Sequence, residues 1–546
     1  MTQQHFLGVD LSTQSLTALI ICPVTGEILR YSLNFDSDLP HYETQGGVPP
    51  RKNVNEVLVN PLMWIEAMDR MLLWCRDQGV AGNIAAVSIA AQQHGSVYLN
   101  RKALEQIQTL DPNAPPHDQL VNIFSRKGCP IWMDSSTNQE CREITQMFGH
   151  KELLDLTGSA ATERFAGPQI RKFWKHNPKS YENTSHIALI SSFFTSLLMG
   201  NWAPLDCGDG LGMNLVDLKS RDWSTAAMNA AAPDLASRLP QLIDRDKILG
   251  TVSEYICHRY GFHQDCRVVT GTGDNPSSLA GLGLVGDEDI RAVSLGTSDT
   301  YFGYTSQIPV ADRSSGHLFG TADGGLMFLL CFQNGSLARD AVRSRFDIDW
   351  NEFSNILLNT PPGNNGKLML PYFTPEITPL VLEPGVHRFG GLEENDLVGN
   401  VRAVAEAQIM SMYVHSQWSG RRPSRILVTA GGSQNKGLLQ LIAQVFGVEV
   451  QAFEVQDSAA LGAAIRAAVV WEKGYALTEK LAAFSRKFSS AAPSVSITAD
   501  EEDINIYQGD AGLIKVYEAC EKSITGDVLE FERQHWLFMH HHAGIQ

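Results

Sequence analysis

Apolar positions set two rhythms along this chain, and the first is the rhythm of strands. Phe6-Leu-Gly-Val-Asp10 is a short apolar run that ends on a carboxylate. A polar turn, Leu11-Ser-Thr-Gln-Ser15, leads to a second β-type run, Leu16-Thr-Ala-Leu-Ile-Ile21. Pro23-Val-Thr-Gly26 then turns the chain into a third strand, Glu27 to Leu33. A dinucleotide fold needs a helix directly after its glycine turn, so this strand-turn-strand opening points elsewhere.

The same layout returns about 285 residues later. Arg291-Ala-Val-Ser-Leu295 reads as a strand, Gly296-Thr-Ser-Asp299 as a tight polar turn, and Thr300-Tyr-Phe-Gly-Tyr304 as the returning strand. That spacing is too long for a solenoid repeat and suits a duplicated domain. Two such hairpin turns suggest a nucleotide held between two halves; the plain alternative is coincidence of common turn chemistry. A third segment favours the first reading. Arg425-Ile-Leu-Val428 is a buried strand, followed by Thr429-Ala-Gly-Gly-Ser-Gln-Asn435 and an amphipathic helix, Leu438 to Phe446. Gly431 and Gly432 let a ligand approach the backbone, and the helix amino terminus beyond them favours electron-rich groups. A strand, Val448 to Phe453, and an alanine-rich helix, Ser458 to Trp471, complete a β-α-β-α unit.

Helical spacing of apolar residues marks Pro61 to Arg76. Ile187 to Met199 is apolar but broken by Ser191, Ser192, Thr195 and Ser196, which makes it a buried helix and not a membrane span. Leu104 to Lys127 reads as a proline-dotted surface excursion, Ser485 to Ile504 as an irregular stretch, and Glu518 to Trp536 as a final helix that packs back on the first domain. The domain boundaries drawn on these grounds are 1–270, 271–483 and 484–546.

At 546 residues the chain is long for one core and suits two large domains. Its 43% hydrophobic and 19% charged residues are those of a folded globular protein. A net charge of −17 gives no basic field for nucleic acid or an anionic membrane, so neither is an expected partner. Nine cysteines without a Cys-x-x-Cys pair, and a start lacking a basic leader, argue for free thiols in the cytoplasm. His540-His541-His542 reads as a frayed tail before it reads as a metal site.

No Walker A loop is present. Gly281-Leu-Gly-Leu-Val-Gly286 matches Gly-x-Gly-x-x-Gly, but it lies in or after a helix and reads as packing and termination. Pro276 suits the first helical position, which makes Asn275 the expected cap and leaves Asp274 just outside; the alternative makes Asp274 itself the cap or a turn former. Asp10 at a strand end has a similar alternative as a turn residue.

Six blocks occur in order: Asp10-Leu-Ser-Thr-Gln-Ser15, Gln92-Gln-His-Gly95, Trp132-Met-Asp134, Gly273-Asp-Asn-Pro276, Ser294-Leu-Gly-Thr-Ser298 and Ala430-Gly-Gly-Ser-Gln-Asn435. Each alone is weak. Together they resemble the FGGY carbohydrate kinases over nearly the whole chain. Gln92-Gln-His-Gly95, Cys129-Pro-Ile-Trp-Met-Asp-Ser-Ser-Thr137 and Glu163-Arg-Phe165 are similar to the eukaryotic kind of member that acts on D-xylulose.

The resemblance implies an α/β fold of two ribonuclease-H-like domains, of the actin and hexokinase type, around a deep cleft. The first domain would bind sugar and the second ATP. It implies ATP-dependent phosphorylation of D-xylulose by a monomer or homodimer. Another ketose or polyol, such as ribulose or an alditol, is the alternative, and a non-catalytic sensor on the same fold is a second. In its terms Asp274 is the catalytic base and Asp10 holds Mg²⁺, mostly through water, as suits a cation that dehydrates reluctantly. Thr13 and Gln14, with Gly296, Thr297 and Ser298, would offer amides and hydroxyls to phosphate oxygens. Gly431, Gly432 and Asn435 match the adenosine stretch, and Trp350 a tryptophan near the nucleotide, although a core tryptophan is as good a reading of that residue. His94, Arg164, Asp274 and Asn275 would bind the sugar, with Gln93 and Trp132 beside them. Arg164 has a surface ion pair as its alternative.

Overall fold

The structure, a computed structural model, describes residues 4–51, 53–309, 315–453, 457–488 and 495–525. It divides into two compact units. Residues 1–286, 317–327 and 455–490 form the first, and 287–316, 328–454 and 491–546 the second.

The first unit is built on a seven-stranded sheet in the order Ile248–Thr251, Arg267–Val269, Ile84–Ala91, His5–Leu11, Ser15–Ile21, Ile28–Asn34, with Thr272–Gly273 also paired to Ile84–Ala91. The first three strands in sequence form antiparallel hairpins, as the turn residues predict, whereas Ile84–Ala91 and Arg267–Val269 join in parallel. The opening strand alternates sides. Leu7, Val9 and Leu11 enter the core shared with Met63, Trp64 and Phe193, while Phe6 meets Trp471 edge-on at 5.6 Å on the other face. A Cβ on Gly8 would lie 2.2 Å from the Ala460 carbonyl oxygen, so glycine there lets the helix Ser458–Lys473 reach the sheet. Asn60 caps the helix Pro61–Asp77 through the amide of Leu62, with Pro61 at its first position.

The part of the second sheet that lies in the second unit runs 328–332, Asp299–Thr305, Ile290–Leu295, Arg425–Thr429, Glu449–Ala452, Val495–Ile497. Ile290–Leu295 is antiparallel to Asp299–Thr305 and parallel to Arg425–Thr429, which is parallel in turn to Glu449–Ala452. The echo in the sequence is therefore a repeated topology: an antiparallel hairpin, then two parallel strands, then an antiparallel edge. The repetition is what the duplicated ribonuclease-H-like architecture expected from the sequence requires. The helix Leu397–His415 is buried along most of its length, with an Arg402–Glu406 ion pair inside it.

Several expectations are corrected by packing. Residues 271–286 and 455–490 lie in the first unit, beyond the boundary drawn at 270. The cause is a close helix pair: Ser277 Oγ donates to the Ala459 carbonyl, and a Cβ on Gly462 would lie 1.8 Å from the Ser277 carbonyl oxygen. The insertion before Cys129 is more than an excursion, since Ile107, Leu120 and Ile123 are buried in the first core. Thr184–Leu189 is a strand, so the apolar helix begins only at Ile190. The 485–504 stretch contains the end of a helix, the strand Val495–Ile497 and the start of the helix Glu501–Gln508. The last described helix, Leu513–Thr525, belongs to the second unit and not the first: Tyr517 donates to Glu521, which also accepts from Tyr372. Residues 526–536 and the three terminal histidines lie outside the described residues. Among the described residues no helix is long and apolar enough to cross a membrane.

Candidate active site

In the first unit the opening strand delivers Asp10 on the face that the Ser458–Lys473 helix covers. Ser12 Oγ donates to Asp10 Oδ2 at 2.5 Å, while Oδ1 is buried with no hydrogen-bond partner among the described residues. Burial first, and the negative charge of Asp274 second, push this carboxyl up to about 7 against the Ser12 hydrogen bond. A carboxylate with a spare oxygen and a raised pKa is suited to a cation. Among the described residues no three His, Cys, Asp or Glu side chains gather as a metal cage. A single carboxylate therefore fits a water-clad Mg²⁺ better than a dehydrated ion.

Beside it, Thr13 Oγ1 accepts from Trp132 Nε1 at 2.8 Å and donates to Gln92 Oε1 at 3.3 Å. Its one proton is committed, so the hydroxyl expected to serve a phosphate is engaged, and Thr13 keeps its amide for that purpose. Trp132 sits on a loop fixed by buried Asp134, which accepts from the Val57 and Ser136 amides and from Gln169 Nε2. The aspartate of Trp-Met-Asp is thus an anchor.

The strand Ile84–Ala91 ends in Gln92-Gln93-His94. His94 adopts a left-handed backbone, φ 71°. Its Nδ1 donates to the Gly212 carbonyl at 3.0 Å, and its ring stacks on Phe165 with centroids 4.5 Å apart. Burial, then the charge of Arg164, hold the imidazole well below its usual pKa. A neutral ring with Nδ1–H spent leaves Nε2 as an acceptor, the role a sugar hydroxyl needs. Arg164 is half-buried, close enough to His94 for its charge to act on the ring.

Asp274 does not stand outside its helix. The helix runs Asp274–Gly281, with Gly273 as its cap and no side-chain capping bond, so Asn275 is the second residue and not the cap. Pro276 is tolerated there because amides of the first turn lack intrahelical partners. Asp274 Oδ1 accepts from the amides of Asn275 at 2.8 Å and Gln93 at 3.3 Å, and from Asn275 Nδ2 at 3.0 Å. Burial outweighs these bonds and raises the carboxyl to about 6. Asn275 Nδ2 also reaches Gln93 Oε1 at 2.8 Å, and Gln93 Nε2 reaches the Gly208 carbonyl at 3.1 Å. Gln93 is consequently engaged at both ends of its amide and serves to orient the other two.

Behind this group lie buried charges that the sequence reading missed. Arg466 holds Asp246 with two bonds, at 2.6 and 3.1 Å. Asp206 accepts from Thr272 Oγ1 at 2.5 Å, Asp209 Oδ2 accepts from Ser191, and Asp209 Oδ1 has no partner among the described residues. Asp206-x-x-Asp209 directly after a short apolar strand was the available signal.

In the second unit a cavity of about 860 Å³ is lined by Gly296, Thr297, Trp350, Gly431, Gly432 and Asn435, six of the seven residues expected there; Ser298 is the one left off its wall. A Cβ on Gly432 would lie 2.4 Å from that of Leu295, whereas one on Gly431 would meet nothing within 4 Å. Gly432 is a packing glycine, and the space at Gly431 is open to a ligand. Asn435 spends its side-chain oxygen on the Leu438 amide, capping the helix Lys436–Phe446. Trp350 is 44% exposed, so it is not a core residue, and Arg343 lies 5.4 Å from its ring centroid. The helix Trp350–Asn359 also presents Asn351, Ser354, Asn355 and Leu358 to the cavity. Their spacing along one helical face was the overlooked signal. Asp299, in the echo turn, is locked to Arg339 by bonds of 2.6 and 2.9 Å.

Residues 127–281 match the N-terminal domain of the FGGY family of carbohydrate kinases, and residues 291–471 the C-terminal domain. The chain belongs to the FGGY family of carbohydrate kinases. As a kinase of this family it uses ATP. It is 39% identical over 532 residues to the xylulose kinase of Mus musculus, covering 95% of this chain and 94% of that protein. The xylulose kinase 2 of Arabidopsis thaliana is also 39% identical, over 535 residues, covering 94% of each. Among solved structures, a gluconate kinase from Lactobacillus acidophilus superposes with a TM-score of 0.80 over 96% of this chain and 98% of that one, at 17% identity. The ligand-bound xylulose kinase from the same organism gives 0.79 over 95% and 98%, also at 17%. At that identity these structures speak for the fold alone, the two-domain sugar-kinase fold of the actin and hexokinase type.

Proposed function

We propose that this chain transfers the terminal phosphoryl group of ATP to D-xylulose, giving xylulose 5-phosphate and ADP. The observation that carries the proposal is Asp274: a partly buried carboxylate held by two amides, raised to about 6, with no guanidinium or ammonium bonded to it among the described residues. Such a group orients a sugar hydroxyl in its ionised form and takes the proton late, as bond formation to phosphorus acidifies that hydroxyl. The choice of sugar is supported by the relatives at 39% identity, which are xylulose kinases.

His94 Nε2 accepts from one hydroxyl, Arg164 donates to others, Asn275 stands beside the base, and the exposed face of Trp132 covers sugar carbons. In the second unit the cavity beside Trp350 and Gly431 takes the adenosine. The amides of Thr13 and Gln14 and of Thr297 and Ser298 serve phosphate oxygens. Asp10 would hold Mg²⁺ through water, and the ion supplies charge neutralisation on the phosphates. Nine free cysteines fit a reducing cytosol.

The test is an ATP-coupled assay of purified protein with D-xylulose, D-ribulose, L-ribulose, glycerol and gluconate. D-xylulose is expected to give the highest kcat/KM. A clear win for another sugar changes the substrate and keeps the mechanism; no turnover with any of them overturns the assignment.

A further inference from the structure

The hydrogen-bond chain through Thr13 joins two jobs that the proposed reading keeps apart. Trp132 is 42% exposed, so its ring has a face to offer. Its Nε1–H, however, is directed at Thr13 Oγ1, and the Thr13 hydroxyl passes its own proton to Gln92 Oε1. An indole N–H is a donor only, which fixes the direction of the whole chain. Gln92 is itself pinned, its amide donating to the Leu11 carbonyl at 2.8 Å. Three further bonds hold the turn between strands: the Ser12 amide meets the Ser15 carbonyl at 3.0 Å, the Phe35 amide meets the Gln14 carbonyl at 2.9 Å, and the Ser12 hydroxyl meets Asp10. The amides of Thr13 and Gln14 have no backbone acceptor among the described residues.

We propose that Trp132 is a positioning residue for the first phosphate turn, its indole N–H fixing Thr13 so that the Thr13 and Gln14 amides point at the terminal phosphate. The residue whose face covers the sugar thereby also sets the nucleotide-binding turn. This rests on the reading of the turn as a phosphate site. It makes separate predictions for the two parts of one side chain: the ring face acts on sugar affinity, and the N–H acts on triphosphate affinity.

The experiment is calorimetry of the full chain with Mg²⁺ and a non-hydrolysable ATP analogue, with ADP and D-xylulose titrated in parallel. Trp132→Phe keeps an aromatic face and removes the N–H; Thr13→Val removes the acceptor; Thr13→Ser retains it. Trp132→Phe and Thr13→Val should each weaken the ATP analogue by about two- to tenfold, the range for one neutral hydrogen bond. The double variant should bind no worse than the weaker single, because both changes break the same chain. Thr13→Ser, which keeps the acceptor, should bind the analogue more tightly than Thr13→Val, and Trp132→Phe should weaken the ATP analogue more than it weakens ADP or D-xylulose. A double variant whose loss is the product of the single losses overturns the coupling. So does a Trp132→Phe that weakens sugar alone. Absence of D-xylulose turnover in the unaltered protein would overturn the substrate assignment instead, leaving the coupling to be decided by the analogue titrations.

Discussion

Asp10 and Asp274 in the first unit and Asp299 in the second are carboxylates near the ends of equivalent sheets, the first two partly buried and the third wholly so, yet they are treated in opposite ways. Asp299 is closed in a two-bond pair with Arg339, and both side chains are almost wholly buried. Among the described residues Asp10 and Asp274 have only hydroxyl and amide donors; burial lifts them to about 7 and about 6, and the charge of Asp274 adds to the rise at Asp10. A carboxylate whose charge is neutralised in place can hold a turn but cannot accept a proton or a new cation. One left without a counter-ion is costly to bury and chemically available. The duplicated topology thus carries two chemistries: a satisfied scaffold around an open cavity, and an unsatisfied pair where a reaction can occur.

Charge removal should therefore have opposite consequences in the two units. Arg339→Met leaves Asp299 buried and alone, and should cost about 3–5 kcal/mol in urea unfolding, the usual result of breaking a buried pair. A loss below about 1 kcal/mol would mean that the pair is ornamental. Asp274→Asn should cut turnover at least ~10²-fold while D-xylulose binding by calorimetry persists. Near wild-type turnover would place the base elsewhere. The same variant should be more stable than wild type above pH 6. Because the folded pKa of about 6 exceeds the ordinary 3.8, the protonated form stabilises the fold at low pH, and this contribution is lost as pH rises through 6. Asparagine avoids that loss, so its advantage in melting temperature should shrink on acidification towards pH 4. A constant advantage across that range would mean the carboxylate is not strained.

Smaller effects sharpen the division of labour. His94→Asn, which keeps a residue suited to the left-handed backbone, and Arg164→Ala should each lower kcat/KM for D-xylulose about tenfold. ADP affinity should be unchanged; if it collapses, the two residues are structural. Trp350→Ala should do the reverse, weakening ADP by about three- to tenfold, the range for a lost ring contact, with D-xylulose affinity intact.

Much of this was legible in the sequence because turns and strand ends are local. Asp10, the Thr13 turn and the Gly296–Thr297 echo could be placed by alternation and turn chemistry alone, and the cavity of the second unit gathers five residues of the ordered motifs with Trp350, which the resemblance singled out. What could not be read was set by contacts distant along the chain. Arg466 meets Asp246 across 220 positions, and the Ser458–Lys473 helix joins the first sheet through Gly8, which no local pattern announces. The capping role given to Asn275 failed for a related reason. Gly273 takes the cap and Asp274 the first helical position, and Asp274 accepts from the Gln93 amide 181 residues away, a contact that no local capping rule announces.

The central claim is that an uncompensated carboxylate in the first unit does the chemistry, and the pH dependence of kcat/KM for D-xylulose at saturating Mg²⁺ tests it most directly. A base must be ionised to act, so activity should fall below an apparent pKa of about 6 in the wild type, and this acid limb should vanish from the residual activity of Asp274→Asn. An acid limb that persists unchanged in Asp274→Asn would contradict the account.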